Sequence, residues 1–133
     1  MDESSDLARS LLRKAGDDLY AAGCLRRDSE ASLWTVGFHA QQAVEKSLKA
    51  VLMWREIRYP FTHDIAALVK LVHQSGLPLP KGSEEMSYLT PFGTLFRYED
   101  EEWGLPEDRG AEYLLKLAEE AVAWANSLIE VTD

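Results

Sequence analysis

From Ala31 to Trp54 the chain carries no proline and a single glycine, Gly37. An unbroken stretch of that length, wound at about 100° per residue, predicts one long helix. On that helix Leu33, Val36, Ala40, Ala43, Val44, Leu48 and Val51 share one broad side, with Trp34 and Leu52 at its margin. Thr35, His39, Gln42, Lys46 and Lys49 line a narrow stripe opposite. So wide an apolar arc belongs to a helix touched by neighbours over most of its circumference. The polar stripe is then the place where chemistry would show itself.

The flanking segments supply those neighbours. Leu7, Ala8, Leu11, Leu12, Ala15, Leu19 and Ala22 repeat at intervals of three and four, which predicts a first helix capped by Ser4 or Ser5 and ending between Gly23 and Arg27. Asp28-Ser29-Glu30 makes a link so short that the first and central helices must be antiparallel. After Trp54, Pro60 holds Tyr59 in extended geometry, so this segment reads as a loop. Thr62 is predicted to cap a third helix with the buried edge Ile65, Leu68, Val69 and Val72, stopped by Gly76. Ser83-Glu84-Glu85 opens a fourth through Met86, Leu89, Phe92, Leu95 and Phe96, bent or broken at Pro91. Pro106 suits the start of a last helix, whose stripe from Ala111 to Ile129 carries it to about Val131. No strand-type alternation, Gly-rich phosphate loop or internal repeat is visible. The expectation is an all-α, up-and-down bundle of four to five helices, forming a single domain over residues 1–133.

Composition narrows the function. A chain of 133 residues buries roughly two-thirds of its unfolded surface and needs no metal or disulfide to hold together. Cys24 stands alone and cannot form an internal bridge, so a reducing cytoplasm is the expected home. No run reaches the roughly 20 apolar residues of a membrane span, and Met-Asp-Glu-Ser-Ser does not read as a signal peptide. With 23 acids against 14 bases, the net charge of −9 opposes indiscriminate binding to nucleic acid while leaving room for a local basic pocket. The three histidines are widely spaced, none at i, i+4, and no cysteine cluster exists, so no metal site is expected. Glu99 to Glu102 reads as a solvated acidic loop, and the four tryptophans as core or interface residues.

Phe38-His39-Ala40-Gln41-Gln42-Ala43-Val44-Glu45-Lys46-Ser47-Leu48-Lys49-Ala50, followed by Thr62-His63-Asp64-Ile65 and then Arg97-Tyr98, resembles the HEPN domain family. The core Gln-Ala-x-Glu-Lys-x-Leu-Lys-Ala is matched without a gap from Gln42 to Ala50, and the likeness extends from about Leu7 to Leu128. The resemblance implies a helical bundle, often dimeric. It also implies a nucleotide-binding module, a partner of a minimal nucleotidyltransferase, or a metal-independent ribonuclease in toxin–antitoxin or defence systems.

Two sets of residues follow as candidates. His39, Gln42, Lys46 and Lys49 converge on one helix edge, and Arg97 resembles a fifth member; together they would contact a nucleotide or its phosphate. The competing reading pairs the lysines with acids, as Glu45 and Lys49 at i, i+4 already allow. The second set is Arg58 and His63, whose spacing in Arg58-Tyr59-Pro60-Phe61-Thr62-His63 fits the ribonuclease motif of the family. There an imidazole would move the 2′-hydroxyl proton and a guanidinium would stabilise charge on phosphorus. Tyr59 stands where that motif carries a small polar residue, and Pro60 places the run in a loop. The leading expectation is a binding module acting as a homodimer with a nucleotidyltransferase chain. A ribonuclease and a plain adaptor or antitoxin are the alternatives.

Overall fold

A computed structural model describes residues 3–94 and 110–131, and within them the chain is helical with no strand. The helices are α1 (Glu3–Arg26), α2 (Leu33–Trp54), α3 (Ile65–Gln74), the five-residue α4 (Thr90–Thr94) and α5 (Ala111–Val131). A 3₁₀ segment, Ser83–Leu89, leads into α4. The central helix is unbroken, as its sequence predicts, and it touches every other described element. α1 packs along it, antiparallel after the short link at residues 27–32, and α5 closes the far side against both.

Local chemistry sets the ends of α2. The Ser32 hydroxyl accepts the Thr35 N–H at 3.2 Å and caps the start. At the other end Glu56 adopts a left-handed φ of 58°. Its N–H donates to the Met53 carbonyl, while that of Ile57 reaches back to Leu52 at 2.8 Å. This is a Schellman stop built on a glutamate where glycine is usual. It turns the chain into the loop that carries Arg58 and His63.

Two local expectations are corrected, and the break expected at Pro91 is present as a change of helix type. α1 already includes Glu3, so Ser4 and Ser5 lie in its first turn instead of capping it, with Glu3 and Asp6 answering the helix dipole. α3 is capped by Asp64, not Thr62. The Asp64 carboxylate accepts from Ala66 and Ala67 at 3.0 and 3.4 Å, and the Thr62 hydroxyl accepts the Asp64 N–H. The stretch before Pro91 winds as a 3₁₀ helix because proline has no N–H to return to Ser87; Thr90 donates to that carbonyl instead. Gly76 ends α3 at φ 83°, as its position suggests. Arg97, Tyr98, Glu99 to Glu102, Trp103 and the start at Pro106 lie outside the described residues.

The core is centred on α2. Val44, Leu48, Val51 and Leu52 are buried with Leu12 and Ala15 of α1, Ile65 and Leu68 of α3, and Leu114, Ala118 and Ile129 of α5. Truncating a residue such as Leu48 to alanine in a site like this costs about 2–5 kcal/mol. The buried face of α2 also includes three polar residues, Gln41, Glu45 and Ser47. Two of them build the site.

Candidate functional site

The row Gly37, Gln41, Glu45, Lys49 climbs α2 at four-residue intervals, so these side chains stack on one face. Gly37 lets α4 approach: a Cβ there would stand 2.1 Å from the Phe92 ring. Gly93 does the same for the next rung, since its Cβ would meet the Gln41 amide at 2.5 Å. With α4 pressed against it, Gln41 is fully buried and turns its amide along the helix. Its Nε2 donates to Glu45 Oε1 at 2.6 Å, and its Oε1 accepts from Gln42 Nε2 at 2.7 Å.

Glu45 is the hub. Its side chain is only 7% exposed, yet it carries an ion pair with Lys49 at 2.7 Å and contacts His63 Nδ1 at 3.0 Å. Burial alone raises a carboxyl pKa. Here the donors Lys49, Gln41 and His63, with the charge on Lys49, outweigh burial and hold Glu45 below its ordinary value near 4.5. Lys49 also lies under the Tyr59 ring, 5.8 Å from its centroid. Burial and the negative charge of Glu45 raise the Tyr59 pKa, so the phenol stays protonated at neutral pH.

A second cluster lies on the adjoining edge. Asp18 of α1 receives Lys46 Nζ at 2.6 Å through one oxygen and faces His39 Nδ1 at 3.0 Å through the other. The carboxylate is 13% exposed, and the two α2 side chains are 27% and 29% exposed. The two clusters thus repeat one design: a sheltered carboxylate holding one ammonium and one imidazole at the surface.

The structure therefore brings His39, Gln42, Lys46 and Lys49 to one side of α2 and adds His63 from the loop. Both lysines are held by carboxylates. Arg58 is exposed in the loop, and no hydrogen bond or ion pair ties it to another described residue. His63 is oriented by Glu45 instead of by an arginine. Sequence reasoning overlooked Asp18, Gln41 and Tyr59 and treated Glu45 as a surface partner of Lys49. A signal for Asp18 existed: it falls in register with Ala15, Leu19 and Ala22 on the buried stripe of α1. Among the described residues no group of three His, Cys, Asp or Glu side chains is arranged to hold a metal ion. No described helix is long and apolar enough to cross a membrane.

The HEPN domain family model matches residues 8–128, which takes in both clusters and every described helix in whole or part. The chain belongs to the HEPN domain family. Comparison with the curated proteins and with the solved structures gave no match. Within the matched residues Gln42, Lys46 and Lys49 form the outer edge of the central helix, and Glu45, Lys46 and Lys49 are the charged side chains that it gives to the two clusters.

Proposed function

We propose that this HEPN domain is a non-catalytic module that takes the phosphate of a nucleotide along the outer edge of α2 and works as a homodimer beside a minimal nucleotidyltransferase chain. The observation that carries the reading is the pair of lysines, Lys46 and Lys49, each fixed by a carboxylate at 2.6–2.7 Å and each accompanied by an imidazole. Fixed ammonium groups lose little further freedom when they meet a phosphate. Gln42 supplies an amide beside them, and Arg97 completes the proposed set. Toxin–antitoxin or defence systems are the setting that the family suggests for such a pair.

Calorimetry with ATP and related nucleotides tests the phosphate site. Lys46→Ala is expected to weaken binding, and an unchanged affinity removes Lys46 from it. Co-expression with a nucleotidyltransferase chain, followed by light scattering, tests the assembly.

One observation favours a second reading, a metal-independent ribonuclease. Glu45 holds His63 Nδ1 at 3.0 Å, which leaves Nε2 on a half-exposed ring to act as acid or base. His63 would take the 2′-hydroxyl proton while Arg58 stabilised the phosphorane charge. Purified protein incubated with mixed RNA and a chelator should then cleave it, and His63→Ala should stop the cleavage. Intact RNA with the wild-type protein ends this reading.

A further inference from the structure

Phe61 is 96% exposed, more than either of the other exposed large apolar side chains among the described residues, Leu7 at 57% and Tyr20 at 74%. A lone exposed phenylalanine needs no explanation by itself. What sets Phe61 apart is how it is held. Two residues before it, Tyr59 is half-buried against Lys49; two residues after it, His63 is tied to Glu45. Pro60 restricts the backbone on one side, and the Thr62 hydroxyl closes a turn onto the Asp64 N–H on the other. A loop fastened at both flanks cannot fold its apex inward, so the ring is displayed instead of packed.

The surroundings say what such a ring would meet. The Phe61 and His63 rings lie edge to face, with centroids 5.8 Å apart, so one ring face is left for another flat group. Arg58 is exposed three residues away on the same loop. Of the nearby acids, Asp64 is occupied as the α3 cap, Glu45 is buried under its donors, and Glu56 is exposed at the head of the loop, two residues before Arg58. An aromatic plate beside an arginine and an imidazole matches a ligand with a flat ring at one end and an anion at the other.

We infer that Phe61 is the base-stacking residue of the nucleotide site: the nucleobase lies on its ring while the phosphates run past Arg58 and His63 to Lys49 on the outer edge of α2. This rests on the nucleotide-binding reading and deepens it by assigning the base subsite. It makes recognition tolerant of base identity, because every base has a stackable face.

The test is calorimetry of the wild-type chain, Phe61→Ala and Phe61→Trp against ATP, UTP and tripolyphosphate, with circular dichroism confirming the fold. Phe61→Ala should weaken both nucleotides about tenfold, the scale of one lost stacking contact. Phe61→Trp should restore the affinity, and tripolyphosphate, which has no base, should bind all three alike. If ATP and UTP bind Phe61→Ala as tightly as wild type, the base subsite is refuted and the phosphate site stands. If neither nucleotide nor tripolyphosphate binds the wild-type chain, both readings fall. If Phe61→Ala leaves nucleotide affinity intact but releases a co-purifying protein, the ring is a protein contact and the inference is wrong.

Discussion

Replacing Glu45 by alanine removes the acceptor shared by three donors, Gln41 Nε2, Lys49 Nζ and His63 Nδ1, at 2.6, 2.7 and 3.0 Å. Their fates differ. His63 is half-exposed and rehydrates, whereas fully buried Gln41 loses its partner without regaining water and Lys49, only 13% exposed, regains it in part. Removing one member of a sheltered pair costs about 3–5 kcal/mol; with His63 recovered by solvent, the lower end applies, about 3 kcal/mol. Against a total of about 5–15 kcal/mol for a domain this is a large fraction.

Acidity provides an internal control. The folded-state pKa of Glu45 is depressed, so its contribution is complete above the unfolded value near 4.5 and is lost as pH falls through the lower folded value. Glu45→Gln keeps the volume and removes that titration, so part of the acid-side loss of stability should vanish in the variant. Urea unfolding from pH 7 down to pH 3 measures both quantities. A cost for Glu45→Ala under about 1 kcal/mol, the value of an exposed pair, would refute the hub. So would wild type and Glu45→Gln losing stability in parallel below pH 4.5.

Other substitutions probe separate features. Gly37→Ala puts a Cβ 2.1 Å from the Phe92 ring and should destabilise by about 1–3 kcal/mol in thermal unfolding while pushing α4 off the central helix. Glu56→Gly relieves a left-handed residue at the Schellman stop and should stabilise by about 0.5–1 kcal/mol. The Ser47 hydroxyl is buried with no hydrogen-bond partner, so Ser47→Ala should be neutral or stabilising by about 1 kcal/mol in urea melts. Asp18→Asn removes the anion that fixes Lys46, and ATP should bind the variant more weakly in calorimetry; tighter binding would mean that Asp18 only competes with the ligand for Lys46.

The fold was legible because its signals are periodic. The apolar repeat of α1, the proline-free run of α2 and the stripe of α5 each extend over several turns and cannot be read another way. Caps were less legible. Thr62 and Asp64 are both good capping residues, and only the seating of α3 against the core, with Ile65 as its first buried residue, decides between them. The site was legible as an edge and opaque as a network. Lys49 and Glu45 are paired in sequence space, but Gln41, the buried donor to Glu45, is covered by α4, which reaches it through Gly93 from a distant segment. Asp18 reaches Lys46 across 28 residues, a pairing that no local pattern encodes. Phe61 was hidden for a different reason: apolar residues are read as core, and its display depends on anchors at Tyr59 and His63 that exist only once α2 is in place.

A chain of net charge −9 repels phosphate at long range, so a phosphate site here must work at contact distance. The two carboxylates look at first like obstacles, since each occupies the ammonium that a phosphate would want. Their effect on the lysines is what matters. A free lysine carries about 2 kcal/mol of rotamer entropy that any ligand must quench, and Asp18 and Glu45 have already quenched it. Each carboxylate also divides its charge, Asp18 between Lys46 and His39, and Glu45 among Lys49, Gln41 and His63. A carboxylate shared in this way holds any one donor less tightly than a dianionic phosphate would. On the proposed reading the arrangement would favour polyanions over single carboxylates and chloride, and would keep the cations in position without making the surface basic enough to collect nucleic acid at random.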